Sequence, residues 1–249
     1  MSEFFAKDWS GPAFIWFGTA HNLALALVVL LNVLLIWRLR KAADKTKKTA
    51  AVVMAVILWA NELAWHLWNL LTGQWTVQTM LPLHACSLLV WTGGLMLITR
   101  DYYIYEFCYF LGIGGALQAL LTPDLGIYGF PHFRFFQTYI SHGLIITAAI
   151  YMTLVYGFRP TWKSFLRVGA TLLGYMAVVF FVNRWIGSNY LFIAYKPPTG
   201  SLLDILPEWP IYIFYMILIG LVVFLLLYLP FAVKDWAAGR KRAPAPTTG

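Results

Sequence analysis

The chain has 249 residues, of which 61% are hydrophobic and 11% charged, and it carries a formal charge of +8. Soluble domains hold about 25% charged residues, so this composition excludes an ordinary soluble fold and describes a polytopic membrane protein. Its two cysteines, Cys86 and Cys108, exclude a disulfide-rich framework.

In chain order, the N-terminal stretch MSEFFAKDW lacks a basic region and a small-residue cleavage site, so no cleaved signal peptide is expected. A hydrocarbon core about 30 Å thick needs about 20 apolar residues in a helix. Segments 14–37, 50–72, 80–99, 103–121, 134–157, 164–186 and 209–232 meet that need. The expected fold is therefore all-α: one seven-helix transmembrane domain over 1–233, then a basic, disordered tail over 234–249. The longest connector, GSNYLFIAYKPPTGSLLDILPEWP, is too rich in Pro, Gly and polar groups to cross lipid as one helix.

The basic residues orient the bundle. Arg38, Arg40, Lys41, Lys45, Lys47 and Lys48 fill the first connector. Arg100, then Arg159, Lys163 and Arg167, then Lys234, Arg240, Lys241 and Arg242 fall on the same side. The positive-inside rule puts that side in the cytoplasm and the N-terminus outside. The charge then serves topology, and no nucleic-acid partner is expected. The expected location is a cell membrane, which the chain crosses several times.

Polar groups in lipid-spanning helices usually face the bundle interior. Placed by depth, they converge on the outer half: Glu62 and His66 on span two, His84 and Cys86 on span three, and Gln118 near the end of span four. Span five adds Arg134, Gln137, Thr138, Ser141 and His142, and Asn183 and Arg184 close span six, with Asn189 just beyond. Glu62, His66 and Asn69 share one helix face, as do Arg134, Thr138 and His142. The inner halves hold little beyond Asn32, Glu106 and Cys108.

Cys86 carries the chemical question. A buried cysteine is commonly an inert small hydrophobe. Pro82 suits a first helical turn, however, which would put Cys86 near the positive end of a helix, where a thiolate is favoured. Histidines 66, 84 and 142 lie at its depth, and a thiol with a histidine base is the minimal pair for covalent catalysis. Cys108 falls in the opposite half, about 10 Å away along the axis by helix rise, too far for a bridge.

Three stretches, LPLHACSL, LTPDLGIYGFPHFRFFQTYISHGLII and GSNYLFIAYKPPTGSLLDILPEWPIYI, resemble the YwaF-like bacterial membrane family and its animal relative, transmembrane protein 164. The likeness covers about residues 15–230, and extends distantly to androgen-induced-gene-1 type membrane hydrolases. It implies acyl transfer involving phospholipid or lysophospholipid, with the nucleophile at Cys86 and the histidine at His142. The expected activity is thus a lipid acyltransferase or acyl hydrolase without a cofactor. His66 and His84 would polarise the oxyanion, Glu62 would orient His66, and Arg134 and Arg184 would hold a phosphate. Two rivals stay open: a solute transporter or receptor with the same outward pocket, and a zinc hydrolase using His66, His84, Cys86 and His142.

The orientation is testable. In Lys45→Cys, a membrane-impermeant maleimide should label position 45 only after the cells are permeabilised. Labelling of intact cells would invert the bundle.

Overall fold

A computed structural model describes residues 3–197, 202–237 and 239. The described residues form helices and no strands: α1 (Thr19–Leu39), α2 (Asp44–Leu71), α3 (Ala85–Thr99), α4 (Tyr102–Phe107), α5 (Ile113–Leu121), α6 (Phe133–Leu154), α7 (Trp162–Ile186) and α8 (Ile211–Ala237). Between α4 and α5 the five residues Cys108–Gly112 form one wide π turn, so Tyr102–Leu121 is a single rod with a bulge.

Among the described residues, five helices are long and apolar enough to cross a membrane: α1, α2, the α4–α5 rod, α7 and α8. Two of the seven expected spans fall outside that group, for different reasons. The first is α6. It has 22 residues but is polar along much of its length. It packs on α1, α2, α3 and α5, and so buries its polar side chains in the bundle. By contrast, 6% of α1's apolar window and 11% of α8's are buried. These helices are apolar all round because they face outward.

The second is α3, where the expected boundary is corrected. Helix was expected from 80, with Pro82 in its first turn. It begins at Ala85, and its N-cap is His84. Fifteen residues rise only about 22 Å. Residues 77–84 are irregular, and tyrosines satisfy their backbone. The Tyr190 hydroxyl accepts from the Leu81 N–H (2.8 Å) and donates to the Val77 carbonyl (2.7 Å). Tyr175 donates to the Leu83 carbonyl (2.9 Å). Non-helical backbone at membrane depth is tolerated where protein supplies its partners.

The other boundaries shift modestly. Residues 14–18 precede α1 rather than belong to it, α2 starts at Asp44, and α8 runs through Lys234 to Ala237, where a disordered tail was expected. Position 238 and residues 240–249 of that tail lie outside the described residues.

The N-terminal segment caps one end of the bundle. The Trp68 indole donates to the Phe5 carbonyl (3.0 Å), His132 Nε2 to the Ala6 carbonyl (3.0 Å) and the Tyr128 hydroxyl to the Lys7 carbonyl (2.8 Å). His132 Nδ1 accepts from the Arg134 N–H and caps α6. Burial pushes the His132 imidazole down from its ordinary value, which favours this neutral form.

The pairing of α2 with α3 brings Glu62 toward Cys86, and it depends on Gly94. A Cβ there would collide with the Trp59 indole, which donates to the Trp91 carbonyl (3.4 Å). Overpacking of this kind costs about 1–3 kcal/mol. Gly94→Ala should lower the unfolding temperature in detergent, and adding Trp59→Leu should restore part of it.

Candidate functional site

The site is built around Glu62, which is buried in the C-terminal half of α2 at 3% exposure. Its carboxyl interacts with Ser87 on α3 and with the charge of Arg134 on α6. His66, one turn along α2, has Nε2 at 3.7 Å from the carboxylate. The Trp75 indole donates to His66 Nδ1 (3.1 Å), so in the neutral ring Nε2 carries the proton and points it at Glu62. Cys86 lies close enough to feel the Glu62 charge.

Arg134 is held from three directions. Its Nη1 donates to Gln137 Oε1 (2.7 Å), its Nη2 reaches the Asp124 carbonyl (3.5 Å), and its guanidinium lies 3.8 Å from the centre of the Trp65 ring. Such a cation–π contact is worth about 2 kcal/mol when desolvated. Asn61 donates to the Gln137 carbonyl (3.0 Å) and ties α2 to α6 at the same level.

His142 lies two turns further along α6. Its Nδ1 is 2.8 Å from the Thr138 carbonyl, which can only accept, so Nδ1 carries the proton. Nε2 is thereby left with the basic lone pair. The ring also feels the charge of Arg134. Both His142 and Cys86 are half-buried, although they sit on packed helices.

Cys86 is the second residue of α3. The first N–H groups of a helix have no intrahelical partner. Those of Ala85, Cys86 and Ser87 have none elsewhere among the described residues, and the first bond of the helix runs from the Leu88 N–H to the His84 carbonyl (3.0 Å). The thiol therefore sits beside free amides, at the positive end of the helix.

The structure thus sets His66, Cys86 and Arg134 around Glu62, four residues that the sequence singled out, while His142, bonded to the Thr138 carbonyl, stands on α6, which packs against α3. It does not tie in the others. His84 turns toward the α7–α8 connector, where Nδ1 accepts from the Leu191 N–H (3.4 Å) and the ring packs on Tyr190 and Phe192. Gln118 and Arg184 are exposed on the outer faces of α5 and α7. Asn183 clamps the connector through the Tyr190 carbonyl and N–H (both 2.9 Å) and Ser188 (2.7 Å). Asn189 closes a turn onto Tyr195. Ser141 is buried beside His142 without a hydrogen bond to the group.

No hydrogen bond joins the Cys86 thiol to a histidine among the described residues. Nor do three His, Cys, Asp or Glu side chains gather there as a metal-binding group. The four residues weighed as zinc ligands therefore do not assemble: His84 faces another element, and His66, Cys86 and His142 do not converge as a triple. Sequence reasoning passed over Asn61, Trp65, Trp75 and Ser87. Trp65 was within reach, since it lies three residues after Glu62 and shares its face.

An all-helical, multi-pass membrane protein with buried polar clusters among its described residues is the class that these features define. Residues 16–228 match the model of the TMEM164 family, and the chain belongs to that family. No curated protein and no solved structure matched it.

Proposed function

We propose that this protein is a seven-span lipid acyltransferase or acyl hydrolase of a bacterial cell membrane, with its N-terminus outside and its site in the outer-leaflet half. α3, with its irregular lead-in, and the polar α6 complete the seven spans.

One observation carries the reading. A histidine with a fixed tautomer and a free Nε2 lies on α6, which packs against α3, and Cys86 is the second residue of α3. Nε2 of His142 takes the Cys86 proton, and the sulfur attacks an ester carbonyl of a phospholipid. The tetrahedral oxyanion draws on the free amides of Cys86 and Ser87, a role first expected of His66 and His84. On collapse the ester C–O bond breaks, and the leaving alcohol takes the proton from His142. The thioester then passes its acyl group to a lysophospholipid hydroxyl, or to water, which His142 deprotonates. Cys86 regains its proton, so the cycle closes without a cofactor. Arg134 is the candidate for binding the lipid phosphate, and Glu62 positions both Arg134 and His66.

The missing Cys86–His142 hydrogen bond favours one rival, a solute pocket without covalent chemistry. Reactivity separates the two. A membrane-permeant acylating probe should label Cys86 and spare Cys108, which is buried with its thiol on Thr92 (3.7 Å). His142→Ala should slow that labelling by about 10²-fold or more, the usual contribution of a general base. Equal labelling of both cysteines, indifferent to His142→Ala, would leave the pocket reading.

A further inference from the structure

A groove of about 1110 Å³ runs along α1, between it and the faces of α5 and α6. It exceeds the ~300–1,000 Å³ of pockets for drug-sized ligands. Its wall follows α1 from Leu25 to Arg38, about 20 Å of helix rise, and continues to Arg40 and Lys41 just past the helix end. That is most of the ~30 Å hydrocarbon thickness. The groove exists because α1 packs on α6 and leaves most of its surface uncovered.

Its two ends differ. Val29, Val33, Ile36 and Leu121 make an apolar trough, while Arg38, Arg40 and Lys41 close one end. None of the three cations has an ion pair or a side-chain hydrogen bond among the described residues. The nearby acid, Asp44, is paired with Lys47 (3.8 Å). Trp37, 74% exposed beside them, marks the level of the membrane interface. Asn32 lines the wall. Its Nδ2 donates to the Val28 carbonyl (2.9 Å), and its buried Oδ1 has no partner. An apolar trough with unpaired cations at one end matches a ligand with long acyl chains and an anionic head.

We infer that this groove is a binding site for an anionic glycerophospholipid, with its phosphate on Arg38, Arg40 and Lys41 and an acyl chain along Val29, Val33 and Ile36. The cations lie at the end of the bundle opposite Cys86, so the site is separate from the nest around Glu62. Its fate does not depend on the acyl-transfer reading. Lipid in this groove would hold α1, the least packed of the helices, against the bundle.

Native mass spectrometry of the full chain, titrated with dioleoyl phosphatidylglycerol or dioleoyl phosphatidylcholine, tests the site. Each surface cation adds about 1 kcal/mol toward anionic lipid, so the wild type should retain the glycerol lipid about five-fold or more over the choline lipid. Arg38→Gln, Arg40→Gln and Lys41→Gln combined should bring that ratio near unity. Val33→Trp, which fills the trough and keeps every charge, should cut retained phosphatidylglycerol several-fold. Equal retention of both lipids by the wild type would overturn the site. So would full retention in Val33→Trp, which would reduce the effect to surface charge. A lipid-free dimer would give the groove to a second copy and overturn it as well.

Discussion

A carboxyl group buried between three helices needs partners, and much of one end of this bundle is organised around that need. Glu62 has 3% exposure in an otherwise apolar interior. An unpaired charge there would cost several kcal/mol. Arg134 supplies the opposite charge, Ser87 a hydroxyl and His66 an N–H. Each of these is itself held: Arg134 by Gln137 and Trp65, and His66 by Trp75. His142 stands on α6 with Arg134, and Cys86 opens α3 beside Glu62. Glu62 is thus the inner member of a network whose outer members are aromatic.

A second support comes from the α7–α8 connector. Asn183 at the end of α7 fixes the backbone around Tyr190. Tyr190 in turn satisfies two backbone groups of the irregular stretch before α3. The start of α3, and so the position of Cys86, is set by a residue more than a hundred positions away. His84 belongs to this support, through its contacts with Leu191, Tyr190 and Phe192.

The opposite end of the bundle holds another buried acid, with a different character. Glu106 is wholly buried, accepts from Ser164 (2.5 Å) and pairs with Arg167 (2.8 Å). Thr161 and Ser164 form the capping box of α7. There the carboxylate joins α4 to the first turn of α7, which is a structural task. Cys86 and His142 are only half-buried as residues, and the thiol and Nε2 have no hydrogen-bond partner among the described residues. That contrast separates a lock from a site.

The sequence by itself determined the all-helical membrane class, the approximate helices and the family. Hydrophobic length and motif spacing are local properties, and lipid imposes them on every span. From helix rise it gave Glu62, His66, Cys86, Arg134 and His142 a common expected depth, which is a reading of position along each helix. It did not determine azimuth. Which face of a helix meets which neighbour depends on packing such as Gly94 against Trp59 and α6 at the centre of the bundle. Only the tertiary structure therefore turned His84 toward the connector, left Gln118 and Arg184 outside, and added Trp65, Trp75 and Ser87. It also moved the start of α3 to Ala85. The tyrosines that satisfy the preceding backbone come from a distant part of the chain, and a local reading of Pro82 has no access to them.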